Sequence, residues 1–578
     1  MLKRIMSYTR PYRKLFTATV VLTFLLSAIA ILRPLIIKYT LNEVVEKQRD
    51  LSTLNMIGFA LIGILIFEAI LQFTNIYLTS LLGQNIIKDL RIQVYSHILR
   101  LKNSYFDNTP VGMLVTRSVS DIESLNDMFS QGFIVICGDI LMLLIFIAVM
   151  LANNWAMALV SLSSIPLLLI ATNLFKNGVK KTFTEVRNAV ASLNTFTNEH
   201  IMGMKIVQVF NREKEEYTRF TKINEKHRDA NIRSIWYYSV FFPVVEILSA
   251  VSTALLVWYA GFRNNSYNIS LGDFTFFLMM INMMFRPIRM LADRLNNLQM
   301  GMVAAERVFK ILDTQETIDD TGTLPAENLR GHIEFKHVWF AYKEENYVLK
   351  DLSFRIEPGE TVAFVGATGA GKSSIVNLLN RFYEINKGEI LLDGKNVSSY
   401  KLDELRQSIG IVLQDVYLFN DSILNNITLH NPEISEQQVV EAAKKIGIHD
   451  FIMQLPGNYH YNIRERGSML SAGQKQLIAF IRAYVYDPPV FILDEATSAI
   501  DVETEKLLQR AAQYLCQDRT SIIIAHRLVT IQHASKIIVL DKGQILEMGT
   551  RDELLDKNGH FRRLHDLQIE GIGTQKAS

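Results

Sequence analysis

The apolar positions of this chain fall into two regimes that meet near residue 300. Before that point, apolar runs recur at 15–37, 55–80, 132–152, 155–176, 236–262 and 273–298. A run of about 20 such residues is long enough to cross a bilayer as a helix, so six spanning helices are expected. Beyond that point the runs shorten to strand length and alternate with helical patterns, which predicts an α/β domain with a largely parallel sheet. A polar stretch over 313–330 (DTQETIDDTGTLPAENLR) reads as a connection. The expected layout is a membrane region over 1–305, a linker over 306–330, an α/β domain over 331–567 and a polar tail over 568–578.

The segments between the long runs are not structureless. Ile86, Ile87, Leu90, Val94, Ile98 and Leu101 fall on one helical face, and about 177–232 repeats the pattern. Spanning helices therefore continue out of the bilayer; roughly 25 extra residues at about 1.5 Å each would project roughly 35–40 Å. Positive charge concentrates before the first run (Lys3, Arg4, Arg10, Arg13, Lys14), between the second and third (Lys88, Arg91, Arg100, Lys102, Arg117) and over 176–233. That asymmetry places both termini and both long loops in the cytoplasm. The opening MLKRIMSYTRPYRK is basic, but the run after it lacks a small-residue cleavage site, so a retained helix is expected and not a signal peptide.

Composition narrows the function classes. Hydrophobic residues make up 49% and charged ones 20%, and the apolar excess lies in the first half. A net charge of +2 gives no footprint for nucleic acid. Cys137 and Cys516 are the only cysteines, too few and too far apart for a disulfide framework or a zinc cluster. Arg33, Glu68, Asp139, Glu246, Arg286 and Arg289 fall inside predicted spans. Charge there is costly, so each is a functional candidate unless it pairs with another helix or snorkels to the interface. The sixth run also carries Met279, Met280, Met283, Met284 and Met290, an adaptable apolar surface or plain packing, with Pro287 able to kink it.

The clearest chemistry lies at 361–374, TVAFVGATGAGKSS: a strand, a glycine loop and a helix start. Gly366, Gly369 and Gly371 let the backbone curl so that N–H groups around Thr368, Ala370, Ser373 and Ser374 point inward at phosphate oxygens, backed by a helix N-terminus. Lys372 can reach β- and γ-phosphates, and the Ser373 hydroxyl can ligate Mg²⁺. The strand at 490–495 ends in Asp494, suited to Mg²⁺, and Glu495, suited to polarising an attacking water. Gln414 in IVLQD can ligate Mg²⁺ or sense the γ-phosphate, and His526 after SIIIA can donate a hydrogen bond to it. Ser471, Gly473 and Gln474 mark a second helix start with anion-binding character.

Taken together and in order, GATGAGKS, IVLQD, LSAGQ, VFILDEATSAID and IIIAHR resemble the motif set of an ABC ATPase. The first half resembles the ABC exporter membrane domain, through SYFDNTPVGMLVTRSVSDIESL (104–125) and RPIRMLADRLNNLQMGMVAAERVFKILD (286–313). The resemblance covers essentially the whole chain. It implies an α-helical membrane bundle of six transmembrane helices fused to a P-loop α/β ATPase domain, with ATP and Mg²⁺ bound. It also implies coupling helices near 109–120 and 208–216, Tyr342 stacking on adenine, and a D-loop at Ser498–Asp501. In the family each ATP lies between the glycine loop of one ATPase domain and the signature of another, so a second half-transporter is the expected partner. Two departures stand out: Ala472 replaces the usual glycine of the signature, and NIRERG (462–467) keeps only the ERG end of the usual pattern.

The expected function is ATP-driven export or flipping of small amphipathic compounds, drug-like or lipid, across the cytoplasmic membrane. Alternatives are a peptide exporter, with no peptidase domain before the first run to favour it, an importer, and a nucleotide-gated channel or regulator. Fused membrane and ATPase regions with long helical loops argue against an importer, and Glu495 argues against a channel. A homodimer is expected over a heterodimer because Gln414, Glu495, His526 and the glycine loop are all in place and Ala472 adds one methyl group.

Overall fold

A computed structural model describes residues 1–578 apart from 49, 268, 319, 495–501, 526–529 and 567–578. Glu495, His526 and the Ser498–Asp501 turn therefore lie outside the described residues. The chain divides into two units: Met1–Leu99 with Pro110–Thr314, and Arg100–Thr109 with Gln315–Ser578.

The first unit is helical. Its principal helices are α1 (Leu2–Ser7), α2 (Arg13–Ile29) and α3 (Leu51–Ile98), then, after a short helix α4 (Asn103–Asn108) that belongs to the second unit, α5 (Ile134–Asn153), α6 (Ile165–Met202), α7 (Glu213–Tyr267) and α8 (Leu271–Leu312). Among the described residues, five stretches are long and apolar enough to cross a membrane: Arg10–Glu46, Leu51–Ile98, Ile134–Asn153, Trp155–Met202 and Glu213–Gly261. The sixth predicted span falls in α8, a 42-residue helix that carries Asp273, Arg286, Arg289 and Arg294 and is not among these five. Polar residues set the reversals. Asp50 accepts from the N–H groups of Ser52 and Thr53 to start α3, and Asn154 accepts from Ala156 and Met157 to start the helix after α5. These caps satisfy backbone donors that a helix start leaves open.

Two apolar clusters hold the first unit. One packs Phe146, Met150, Leu168, Phe175, Leu256, Phe276 and Met284 between the spanning helices. The other packs Ile86, Ile87, Leu90 and Val94 of α3 against Ile122, Leu125 and Phe309, so the stripe seen in the sequence is the buried face of the helical extension. Helix α1 closes this cluster: Arg4 pairs with Asp313 at 2.7 Å and lies 4.3 Å over the Phe309 ring.

The second unit is α/β. Its six-stranded sheet has the order β10-β9-β3-β8-β7-β6, built from β3 (Thr361–Val365), β6 (Ile409–Val412), β7 (Val490–Asp494), β8 (Thr520–Ile524), β9 (Lys536–Asp541) and β10 (Gln544–Gly549). All pairs but β9–β10 are parallel. Strands β3, β7 and β8 are almost wholly buried, as a sheet covered on both faces requires. A four-stranded antiparallel sheet of β1 (Ile333–Ala341), β2 (Tyr347–Ile356), β4 (Lys387–Leu392) and β5 (Lys395–Asn396) stands beside it.

The segment 100–109 enters this unit by a bridge from Leu101 to Thr317 and by Lys102 N–H donating to Glu316 at 2.8 Å, while the Tyr383 hydroxyl donates to Asp107. The first coupling helix was expected near 109–120. In that region α4 groups with the α/β unit and the chain from Pro110 onward groups with the helical unit, with Thr109 and Pro110 extended between them.

Candidate functional site

The site is organised by the loop between β3 and α9 (Lys372–Leu379). Gly371 begins the helix at φ +103°, a left-handed conformation that side chains with a Cβ rarely adopt. A Cβ on Gly366 would come within 2.2 Å of the Leu540 carbonyl oxygen, so strand β9 sets the floor of the loop. Gly369, Gly371, Lys372 and Ser373 keep N–H groups without a hydrogen bond among the described residues. A ring of unpaired backbone donors at a helix N-terminus fits phosphate.

Lys372 is 5% exposed, and its ammonium donates to the carbonyls of Gly366 (2.8 Å) and Ala367 (3.0 Å). Burial pushes its pKa down, and the Asp494 carboxylate opposes that shift. Lysine and aspartate therefore share one electrostatic neighbourhood. Asp494 is buried at the end of β7, and Val412 pairs with Leu493, so Gln414 follows from the end of the adjacent strand. Ser373 is exposed at the first turn of α9. Among the described residues no group of three His, Cys, Asp or Glu side chains forms a metal cage. Mg²⁺ keeps much of its shell in water and phosphate oxygens, and Ser373, Gln414 and Asp494 are the residues whose oxygens the sequence offered for it.

Tyr342 stands beside the loop. Its hydroxyl shares a 3.0 Å hydrogen bond with Ser374 and accepts from Asn377 at 3.2 Å. Its ring packs edge-on against Phe340 and Tyr383, at 4.7 and 4.9 Å between centroids. An aromatic face is thus fixed next to a phosphate cradle.

The second helix start is built differently. Ser471 caps α10 (Ala472–Tyr486) in a capping box: its hydroxyl accepts from the Gln474 N–H, and the Gln474 side chain accepts from the Ser471 N–H at 2.9 Å. The N–H groups of Ala472 and Gly473 have no partner among the described residues, and Ser471 and Ala472 are exposed. No hydrogen bond among the described residues links this helix start to the glycine loop. The structure therefore gathers Tyr342, Gly366, Lys372, Ser374 and Asp494, and leaves Ser471, Gly473 and Gln474 as a separate face.

One contributor escaped sequence reasoning. Gly543, at φ +83°, donates its N–H to the Ala370 carbonyl at 3.1 Å and buttresses the glycine loop from the β9–β10 turn. A Cβ there would meet the Val348 carbonyl oxygen at 2.0 Å. The D-K-G turn at 541–543 was the available signal, but nothing local ties it to a loop 170 residues earlier.

Known proteins match both halves. Residues 16–288 match the family described as ABC transporter transmembrane region, and residues 349–498 the one described as ABC transporter. The chain is 36% identical to the putative ABC transporter ATP-binding protein exp8 of Streptococcus pneumoniae, over 98% of this chain and 97% of that protein. It is 33% identical to the putative multidrug export ATP-binding/permease protein YgaD of Bacillus subtilis, over 98% and 99%. A solved structure of a bacterial Atm1-family ABC exporter with ATP bound is similar at a TM-score of 0.78 and 25% identity, covering 96% of this chain and 98% of that one.

Proposed function

This chain belongs to the ABC transporter family, and on that premise we propose that two copies form an exporter or flippase of small amphipathic compounds with six spanning helices each. As a family member it is a multi-pass protein of the cytoplasmic membrane whose cytoplasmic ATPase domain binds ATP and Mg²⁺ and drives export by hydrolysis.

The observation that carries the dimer is the contrast between the two helix starts of the ATPase unit. The glycine loop is backed by the buried Lys372 of its own unit, while at the other start Ser471 and Ala472 are exposed and the Ala472 and Gly473 N–H groups have no partner among the described residues. A second copy supplies what each lacks. The apolar tip of Ile206, Val209 and Phe210, each at least 65% exposed, is the surface we assign to coupling with the second copy. For the sixth span, three of the four charges named in α8 are offset by pairing: Asp273 with Lys38 at 2.7 Å, Arg289 with Glu246 at 2.6 Å, and Arg294 with Asp139. Paired charge is what a spanning helix tolerates. The relatives named as multidrug exporters support amphipathic cargo.

In this reading the loop donors and Lys372 hold the β- and γ-phosphates, and Tyr342 stacks on the base. Ser373, Gln414 and Asp494 hold Mg²⁺, which supplies charge neutralisation at the phosphates. Glu495 polarises the attacking water, and His526 donates to the γ-phosphate. The Ser471 hydroxyl and the Ala472 and Gly473 N–H groups face the phosphate held by the other copy.

The test uses inside-out vesicles containing the chain alone. ATP-dependent accumulation of a lipophilic dye supports the reading, and its absence with intact hydrolysis contradicts it. Glu495→Gln should keep ATP binding while turnover drops roughly 10²–10⁴-fold, the usual worth of a positioned base. Turnover near wild type would remove Glu495 from the mechanism.

A further inference from the structure

The helical unit contains a cavity of about 770 Å³, within the size range of small-molecule sites. It lies among α2, α3, α5 and α8, and two of its lining charges stand out. Glu68 sits halfway along the predicted span 55–80, and Arg286 halfway along 273–298. Both spans run from the outer to the inner side, so the two charges share one depth near the bilayer centre.

Charge at that depth is expensive and is normally paired. The other charged groups in the lining each have a polar partner. Asp139 pairs with Arg294, and Asp293 accepts a hydrogen bond from the Tyr238 hydroxyl at 3.4 Å. Glu68 and Arg286 have neither an ion pair nor a hydrogen bond among the described residues. The sequence offered Glu246 and Arg289 as equal candidates, but those two pair with each other and do not line the cavity.

We propose that this cavity receives a zwitterionic amphiphile, its cationic nitrogen at Glu68 and its anionic phosphate or carboxylate at Arg286. The inference rests on the exporter reading and names its substrate class. A purely cationic ligand would leave Arg286 unpaired and repelled, and a purely anionic one would do the same to Glu68. Only a head group with both signs satisfies the two ends together. Leu26, Ile76, Met142 and Met290 in the same lining give an alkyl chain an apolar wall, two of them adaptable methionines.

Binding is measured by tryptophan fluorescence on the purified full chain in uncharged maltoside micelles, without ATP. Three probes share a sixteen-carbon chain: lysophosphatidylcholine, hexadecyltrimethylammonium and hexadecyl phosphate. Glycerophosphocholine, the same head without the chain, separates a lipid source from a soluble one. Lysophosphatidylcholine should bind tightest, and Glu68→Gln and Arg286→Gln should each weaken it roughly tenfold or more, the first by removing the ion pair with a quaternary nitrogen that has no N–H to donate and the second by removing a charge-assisted hydrogen bond to phosphate. Glu68→Gln should leave hexadecyl phosphate no weaker, and Arg286→Gln should leave hexadecyltrimethylammonium no weaker. The double charge swap, Glu68→Arg with Arg286→Glu, should restore zwitterion binding lost in the single variants. Equal binding of the three amphiphiles, or a swap as weak as the singles, overturns the proposal. Equal binding of glycerophosphocholine overturns the amphiphile part. ATP hydrolysis by the same preparation is read separately, so loss of the exporter reading and loss of this one give different results.

Discussion

Two helices of the ATPase unit begin at sequences suited to phosphate, and they begin in opposite ways. Helix α9 starts from Gly371 in a left-handed conformation with no side-chain cap, against a buried lysine. Helix α10 starts from Ser471 in extended backbone with a complete capping box, on the surface. The first start cannot stand alone: Gly366 presses against Leu540, Gly371 against Leu349, and the loop leans on Gly543. The second is self-sufficient, since its box satisfies two donors and leaves only those of Ala472 and Gly473. On the proposed dimer, that difference splits one phosphate site into a half shaped by its own fold and a half presented to another copy.

Lys372→Ala should do most to break this contrast. It removes the buried cation of the fold-shaped half, and ATP turnover should fall roughly 10²–10³-fold, comparable with losing one preorganised donor elsewhere; steady-state phosphate release measures it. Ser471→Ala comes next. It deletes the cap, costing about 1 kcal/mol of stability, and removes one donor to phosphate, lowering turnover roughly ten- to hundred-fold. Thermal unfolding separates the first effect from the second. Ala472→Gly sharpens the contrast most gently: relieving one exposed methyl should raise turnover only a few-fold, with a helix cost under about 1 kcal/mol. A large loss on Ala472→Gly would show that the methyl supports the site and does not crowd it.

What the sequence revealed depended on how local the physics was. A bilayer demands length and apolarity along one helix, so five spans were readable directly, and the stripe of Ile86, Ile87, Leu90 and Val94 is a buried face. The glycine loop was equally readable, because close approach to phosphate restricts consecutive residues. Pairing between distant helices was not. Glu246 and Arg289 looked alike to Glu68 and Arg286 until their partners were known, and Asp139 finds Arg294 only in the folded bundle. The same reason hid Gly543 and the membership of Arg100–Thr109 in the ATPase unit. The sixth predicted span is the marginal case: its charges weaken the local signal, and only the folded bundle shows that Asp273 and Arg289 have partners.

The central claim is that one ATP is held between the glycine loop of one copy and the Ser471 face of another. The direct measurement is an inter-chain crosslink. One tagged chain carries Thr368→Cys and a differently tagged chain carries Ser471→Cys, both exposed positions, with Cys137 and Cys516 replaced and Glu495→Gln present in both. A short bismaleimide should join the two tagged chains when ATP is bound and not in its absence. Bound ATP with no inter-chain product would contradict the claim.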